Sequence, residues 1–133
     1  MAADGLTTIA SSYGPKETMD RLEAEIKAKG MTVFARIDHA AGAAQAGLSL
    51  RPTEVLLFGN AKPGTPLMQA NQTIGIDLPL KALIYEDEAG KTWLAYNDPH
   101  WLARRHGLAA TAAAVDAMAT ALAALAAETT QSR

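Results

Sequence analysis

The segment TEVLLFG, residues 53–59, constrains the fold of this chain more than any other segment. Its unbroken apolar run, bounded by polar residues and a glycine, is typical of a central strand that is covered on both faces. A strand needs neighbours, and the segment MTVFARID at 31–38 supplies one. Apolar side chains recur there at every second position, which is the period of a strand. Residues 5–13 are predicted as a further, first strand. The chain is therefore expected to build around a β-sheet.

The segment GPKETMDRLEAEIKAKG, residues 14–30, is the clearest helix in the sequence. Pro15 suits the first helical position, and Gly30 suits the residue just past the end. One apolar stripe faces the core and consists of Met19, Leu22 and Ile26.

A second long helix is predicted over residues 109–128, after a short helix at 98–107 that Asp98 caps. The long helix carries one narrow apolar seam in an alanine-rich sequence, formed by Val115, Met118, Leu122 and Leu125. Such a seam suits docking either against the sheet or against a second copy of the chain, and both interpretations stay open here.

The middle of the chain alternates short helices with strands. Asp38 is expected to cap a short helix over 39–47, and Thr65 to cap one that starts at Pro66. Residues 73–87 are strand-like, but Gly75 and Pro79 interrupt the pattern. Within this stretch residues 80–86 should pair with 91–97 as a hairpin around Gly90.

This order of elements predicts an α+β fold with a mostly antiparallel sheet of about five strands. No repeat or low-complexity linker divides the sequence, so residues 1–133 are expected to form one domain. The area scalings imply that about two-thirds of the surface is buried on folding, which supplies a core without disulfides.

Composition excludes several classes of function. The chain has no cysteine, which rules out disulfides, thiolate zinc sites and cysteine nucleophiles. A formal net charge of −2 argues against broad nucleic-acid binding. The first ten residues have neither the basic region nor the long apolar stretch of a signal peptide, so none is predicted. The alanine-rich segment 107–127 has Asp116 near its centre, which disfavours insertion into a membrane. We therefore expect a cytoplasmic protein without a membrane or nucleic-acid partner.

The segment FGNAKPGT, residues 58–65, spaces two glycines as a nucleotide-binding P-loop does. However, Thr65 stands where that loop needs lysine, and Pro63 and Pro66 remove backbone N–H donors. The segment is thus not a P-loop. It is predicted to be a structured turn, and the N-terminus of the following helix, with Lys62 nearby, could hold an anion.

His39 and Asp77 are the remaining polar candidates. His39 follows a predicted strand, where ligand-contacting groups are common, but it could equally bond a backbone carbonyl. Asp77 would lie opposite the apolar face of its strand, either solvated or paired with Lys62, Lys81, Arg51 or a ligand. A metal site would require folding to join His39 with Asp38 or Asp77. No spacing demands that, so no metal or cofactor is predicted.

Three motifs together resemble one family of bacterial and archaeal proteins. They are DHA at 38–40, GLSLRPTEVLLFGNAKPGTPLM at 47–68 and IDLPLKALIYED at 76–87. The stretch that they span is similar to the family called domain of unknown function 302. The resemblance implies a TATA-box-binding-protein-like fold, with a curved antiparallel sheet and helices on one face, and it implies a homodimer. The family name assigns no activity.

Three hypotheses for function follow. The first is a domain that binds a small molecule, with an anion as one candidate, through polar residues that converge on it: His39, Asn60, Lys62, Thr65 and Asp77. The second is a homodimeric interaction module without a ligand, joined through the sheet edge or through Leu122 of the last helix. The third is an enzyme in which His39 acts as general base beside Asp77.

Overall fold

The computed structural model describes residues 3–109 and 113–132. Within those residues five strands form one antiparallel sheet in the order β1-β5-β4-β3-β2. The strands are β1 (Leu6–Ala10), β2 (Thr32–Asp38), β3 (Thr53–Gly59), β4 (Leu80–Glu86) and β5 (Thr92–Asn97). The predicted α+β class, the five antiparallel strands and the β4–β5 hairpin are confirmed.

Helices pack on one face of this sheet. They are α1 (Pro15–Ala28), α2 (His39–Gln45), α3 (Ala61–Ala70), α4 (Pro99–Arg105) and α5 (Ala113–Thr130), with a 3₁₀ helix at Gln72–Asp77. The predicted bounds of α1 and the Asp98 cap of α4 are confirmed, since the Asp98 carboxylate accepts from the His100 N–H at 3.0 Å. Residues 110–112 of the predicted last helix lie outside the described residues.

The main core lies between the sheet and the two long helices. The stripe of α1 and the second half of α5 pack on alternate side chains of the three central strands. Its fully buried members include Met19, Leu22, Ile26, Leu56, Phe58 and Ile84. Leu122 and Leu125 belong to this core, so the seam of α5 docks inside its own chain.

A second, smaller cluster joins the first half of α5 to α3, the 3₁₀ helix and α4. Its buried members are Leu67, Ile74, Ala103 and Val115. The seam of α5 therefore serves two cores in succession, because its apolar positions continue along the helix past the end of the sheet. This arrangement places α3 and the 3₁₀ helix beside the end of β3.

The start of α3 differs from the prediction. The helix begins at Ala61 and not at Pro66, and its cap is Asn60, whose side chain accepts from the Lys62 N–H at 3.3 Å. Pro63 fits the first turn because the N–H groups there have no helical partner. The prediction that Thr65 caps the helix is wrong, since Thr65 lies in its second turn.

Residues 73–77 form the 3₁₀ helix and not the start of a strand. The Asn71 side chain accepts from both the N–H and the hydroxyl of Thr73, which closes the first turn. The predicted alternation fails here: Ile74 is buried, whereas Ile76 is 73% exposed. The strand begins after Pro79, as expected from its missing N–H.

The second face of β3 is less covered than the sequence predicts. β3 is an interior strand as predicted, but Val55 and Leu57 on that face are only half-buried.

Among the helices of the described residues, none has the length and apolar character that crossing a membrane requires.

Candidate functional site

A cavity of about 530 Å³ lies beside the FGNAKPGT segment and opens to the surface. Its walls come from α5, from α3, from the ends of β3 and the 3₁₀ helix, and from the start of β2. Its volume falls in the range of small-molecule sites, which is roughly 300–1,000 Å³.

Small side chains on α5 leave this space open. Ala114, Ala117 and Ala121 face the cavity at helical spacing, on the same side as the apolar seam. Larger residues at these positions would fill the gap between α5 and α3. The alanine-rich sequence of α5 thus determines the width of the cavity.

Phe34 stands at the edge of the cavity and is 57% exposed. The register of β2 against β3 shifts between Val33 and Ala35, so Phe34 occupies a β-bulge. A bulge re-aims the side chain that it carries, and here it turns an aromatic ring from the sheet toward the cavity.

The lining is almost entirely apolar. Methionine side chains at 31, 68 and 118 contribute to it, and their flexible thioethers adapt to ligands of different shape. The polar side chains in the wall belong to Lys29, Asn60 and Thr65. Such a surface can bind an apolar molecule, but it offers no general acid–base pair.

Among the described residues of the wall, Lys29 alone has a charged side chain. That charge is paired with a carboxylate. Its Nζ lies 2.8 Å from Oε2 of Glu128 in the last turn of α5. The hydrogen bond between them raises the pKa of Lys29 and lowers the pKa of Glu128. Both groups therefore stay charged at neutral pH.

The five predicted site residues do not converge on one pocket. Asn60 and Thr65 line the cavity, whereas Lys62 lies in the first turn of α3 with an exposed side chain. The start of α3 is also a poor anion cradle. The Lys62 N–H is taken by Asn60, Pro63 has no N–H, and the Gly64 N–H bonds to the Asn60 carbonyl.

His39 is the first residue of α2 and is exposed. The cap of that helix is Asp38, as predicted, whose carboxylate accepts from the Ala41 N–H at 2.9 Å. His39 is absent from the wall of the cavity as the described residues define it. Among the described residues, no hydrogen bond joins His39 to Asp77.

Asp77 is bonded to partners that the sequence did not suggest. Its carboxylate accepts two hydrogen bonds from Nη1 of Arg105, at 2.9 and 2.8 Å. It also lies 2.5 Å from Nε2 of His106, whose Nδ1 lies 2.9 Å from the Thr73 hydroxyl. Asp77 is therefore neither solvated nor paired with Lys62, Lys81 or Arg51, because Arg105 and His106 at the end of α4 reach its carboxylate.

No metal centre is formed by the described residues, since no cluster of three or more histidine, aspartate or glutamate side chains has a suitable arrangement. Shape and apolar lining characterise the cavity.

Comparison with known proteins gives the family. The sequence profile of the family "Domain of unknown function DUF302" matches residues 7–126. The chain belongs to this family. The motifs that carry the resemblance in the sequence lie inside the matched range and include the FGNAKPGT wall of the cavity.

The DUF302 fold is also seen in a solved structure. The crystal structure of an uncharacterized conserved DUF302 protein from Bacillus stearothermophilus superposes with a TM-score of 0.84. It covers 95% of this chain and 98% of that chain at 24% sequence identity. At this identity the likeness establishes the fold.

Curated relatives carry the matched sequence within longer proteins. Fluoride-specific ion channel FluC 1 of Brucella suis biovar 1 (strain 1330) is 52% identical over 117 residues, which is 87% of this chain and 46% of that protein. FluC 1 of Brucella abortus biovar 1 (strain 9-941) is equally similar, over 43% of its length. The DUF302 chain thus spans less than half of the curated relatives that it matches.

Proposed function

We propose that this DUF302 chain binds a small, largely apolar molecule in the cavity between α3 and α5. The observation that carries this proposal is the open cavity of about 530 Å³ with an apolar lining. Burying apolar ligand surface there contributes about 25 cal/mol per Å². A monomer that simply needed a core would fill the space with larger side chains at the alanine positions of α5.

Competition for the cavity by an added side chain tests the proposal. In Ala121→Phe an aromatic ring occupies the cavity, whereas in the matched Ala123→Phe the ring stands on the opposite side of α5. The uncharged fluorophore N-phenylnaphthylamine should bind the unmodified chain and Ala123→Phe saturably, with one site per chain. Ala121→Phe should weaken its binding at least tenfold.

Native mass spectrometry of gently purified protein extends the same test. A reproducible extra mass on the unmodified chain and on Ala123→Phe, absent from Ala121→Phe, would support the proposal. If the fluorophore binds all three folded proteins equally, the cavity is not the site.

A second candidate function, self-association, is favoured by the surface around α2. This seven-residue helix is described in full and has no buried residue. A helix so short is marginal without packing partners. Three large apolar side chains near it are exposed: Ile37, Leu48 and Leu50. We propose that two copies of the chain associate here, along the edge strand β2.

Light scattering distinguishes the two states. Leu48→Asp should convert a dimer to a monomer, whereas Ile76→Asp should not, although Ile76 is comparably exposed on the 3₁₀ helix. If both variants keep the mass of a dimer, the interface lies elsewhere. If the unmodified chain is a monomer at every concentration tested, the association proposal fails.

The third hypothesis, catalysis by His39 beside Asp77, is not proposed, because Asp77 bonds to Arg105 and His106.

The name of the Brucella relatives describes proteins more than twice as long as the matched segment. Ion conduction is therefore not proposed for this chain.

The cytoplasmic location stays a prediction that cell fractionation would test.

A further inference from the structure

We infer that the cavity selects uncharged ligands, and that Glu128 is the residue which sets this preference by neutralising Lys29. The inference rests on the proposed function and adds the chemical class of the ligand. It concerns a residue outside the wall of the cavity, because Glu128 acts on the wall through the Lys29 ammonium group.

Lys29 is the group that would otherwise attract an anion. It is at the C-terminal end of α1, and its side chain contributes to the wall of the cavity. Glu128 lies three residues beyond Leu125, another wall residue, so the α5 helix holds its carboxylate beside the cavity. A ligand carboxylate could bond to Lys29 only beside the Glu128 carboxylate, which lies 2.8 Å from Nζ, because the ammonium group offers three N–H donors but a single positive charge.

The surrounding charges reinforce the effect. Glu25 of α1 also acts on Lys29 through its charge, so two carboxylates accompany one ammonium group. The ammonium group of Lys29 therefore offers an incoming anion no positive charge that a carboxylate does not already balance.

An uncharged molecule meets none of these costs. Its apolar part gains from the lining, and a hydroxyl or carbonyl group can stay hydrated at the open mouth. A carboxylate would lose part of its hydration without gaining a free counter-charge. The result is selectivity by charge in a site whose shape alone would accept either compound.

The test compares decanol with decanoate, both below the concentrations at which they aggregate, by displacement of N-phenylnaphthylamine. The unmodified chain should bind decanol at least fivefold more tightly than decanoate. Glu128→Gln frees Lys29 and should tighten decanoate binding by about threefold to fivefold, the range of an exposed ion pair. It should leave decanol binding unchanged.

Glu88→Gln removes an exposed carboxylate in the β4–β5 turn and should change neither affinity. Equal or tighter binding of decanoate by the unmodified chain would overturn the inference, as would an unchanged ratio in Glu128→Gln. Those outcomes leave the cavity proposal standing. If neither compound nor the fluorophore binds the unmodified chain, the proposed function itself fails.

Discussion

The carboxylate of Asp77 lies 2.5 Å from Nε2 of His106, although 29 residues separate them in the chain. The side chains of both residues are largely buried. Their hydrogen bond joins the end of the 3₁₀ helix to the end of α4, and Thr73 completes the link at the Nδ1 atom of the imidazole. It thereby positions Gly75 and Leu78, which belong to the wall of the cavity.

Asp77→Asn should destabilise the protein, because the amide replaces a charge that accepts from both Arg105 and His106. We expect the free energy of unfolding to fall by about 1–3 kcal/mol. Urea denaturation monitored by circular dichroism measures it, with Glu88→Gln as the control for losing an exposed carboxylate. Equal midpoints for the two variants would show that the Asp77 network contributes nothing.

His100 should titrate above its ordinary value. The hydrogen bond with Asp116 at 2.7 Å, and the one with Asp98, favour the imidazolium and raise the pKa of His100 above 6.5. A raised pKa means that the stabilising contribution is complete below about pH 6.5 and is lost as pH rises through the folded-state value. The shifts of the imidazole protons in NMR spectra give the midpoint.

Asp116→Asn should lower that His100 midpoint, since it removes the carboxylate that contributes most to raising the pKa of His100. Asp98 is left intact in this variant because it also caps α4. If the midpoint is the same with and without the Asp116 carboxylate, the hydrogen bond between His100 and Asp116 does not form in solution.

Leu122→Asp should prevent folding, because Leu122 is 5% exposed and belongs to the main core. A buried unpaired carboxylate costs several kcal/mol. The adjacent Ala123→Asp should fold normally, since Ala123 is exposed. Circular dichroism and light scattering together check this. A folded Leu122→Asp monomer from a dimeric parent would instead place Leu122 at an interface between copies.

Gly5→Ala should cost more stability than Gly90→Ala. Both glycines have positive φ, of +74° and +81°, but a Cβ at Gly5 would also overlap the indole of Trp101. We expect about 2–4 kcal/mol against about 1 kcal/mol in thermal unfolding. Trp101→Ala in the Gly5→Ala background should recover part of the loss. No recovery would mean that the indole does not pack on Gly5.

Local patterns were enough for much of the fold. Pro15 and Gly30 bound α1 in the sequence because their backbone preferences act at the residue itself. The hairpin of β4 and β5 follows from two strand patterns joined by a short turn at Gly90. The 3₁₀ helix was missed, because residues 73–77 have an apolar alternation that the Asn71 cap overrides.

The candidate site was predicted only in part. Asn60 and Thr65, two of the predicted residues, border the cavity because the FGNAKPGT segment forms part of its wall. His39 and Asp77 lie elsewhere, since their positions depend on how α2 and α4 pack. Lys29 and the alanines of α5 gave no signal as site residues, because a small side chain marks a cavity only when the opposite wall is known.

The sequence by itself determined most of the elements, their order and the family, because periodicity, caps and turns act over a few residues. Only the tertiary structure decided which surfaces meet. The seam of α5 is apolar whether a sheet or a second chain covers it, and the packing of Leu122 in the core selects the sheet. The cavity likewise arises from elements far apart in the chain, since an empty space belongs to no single segment.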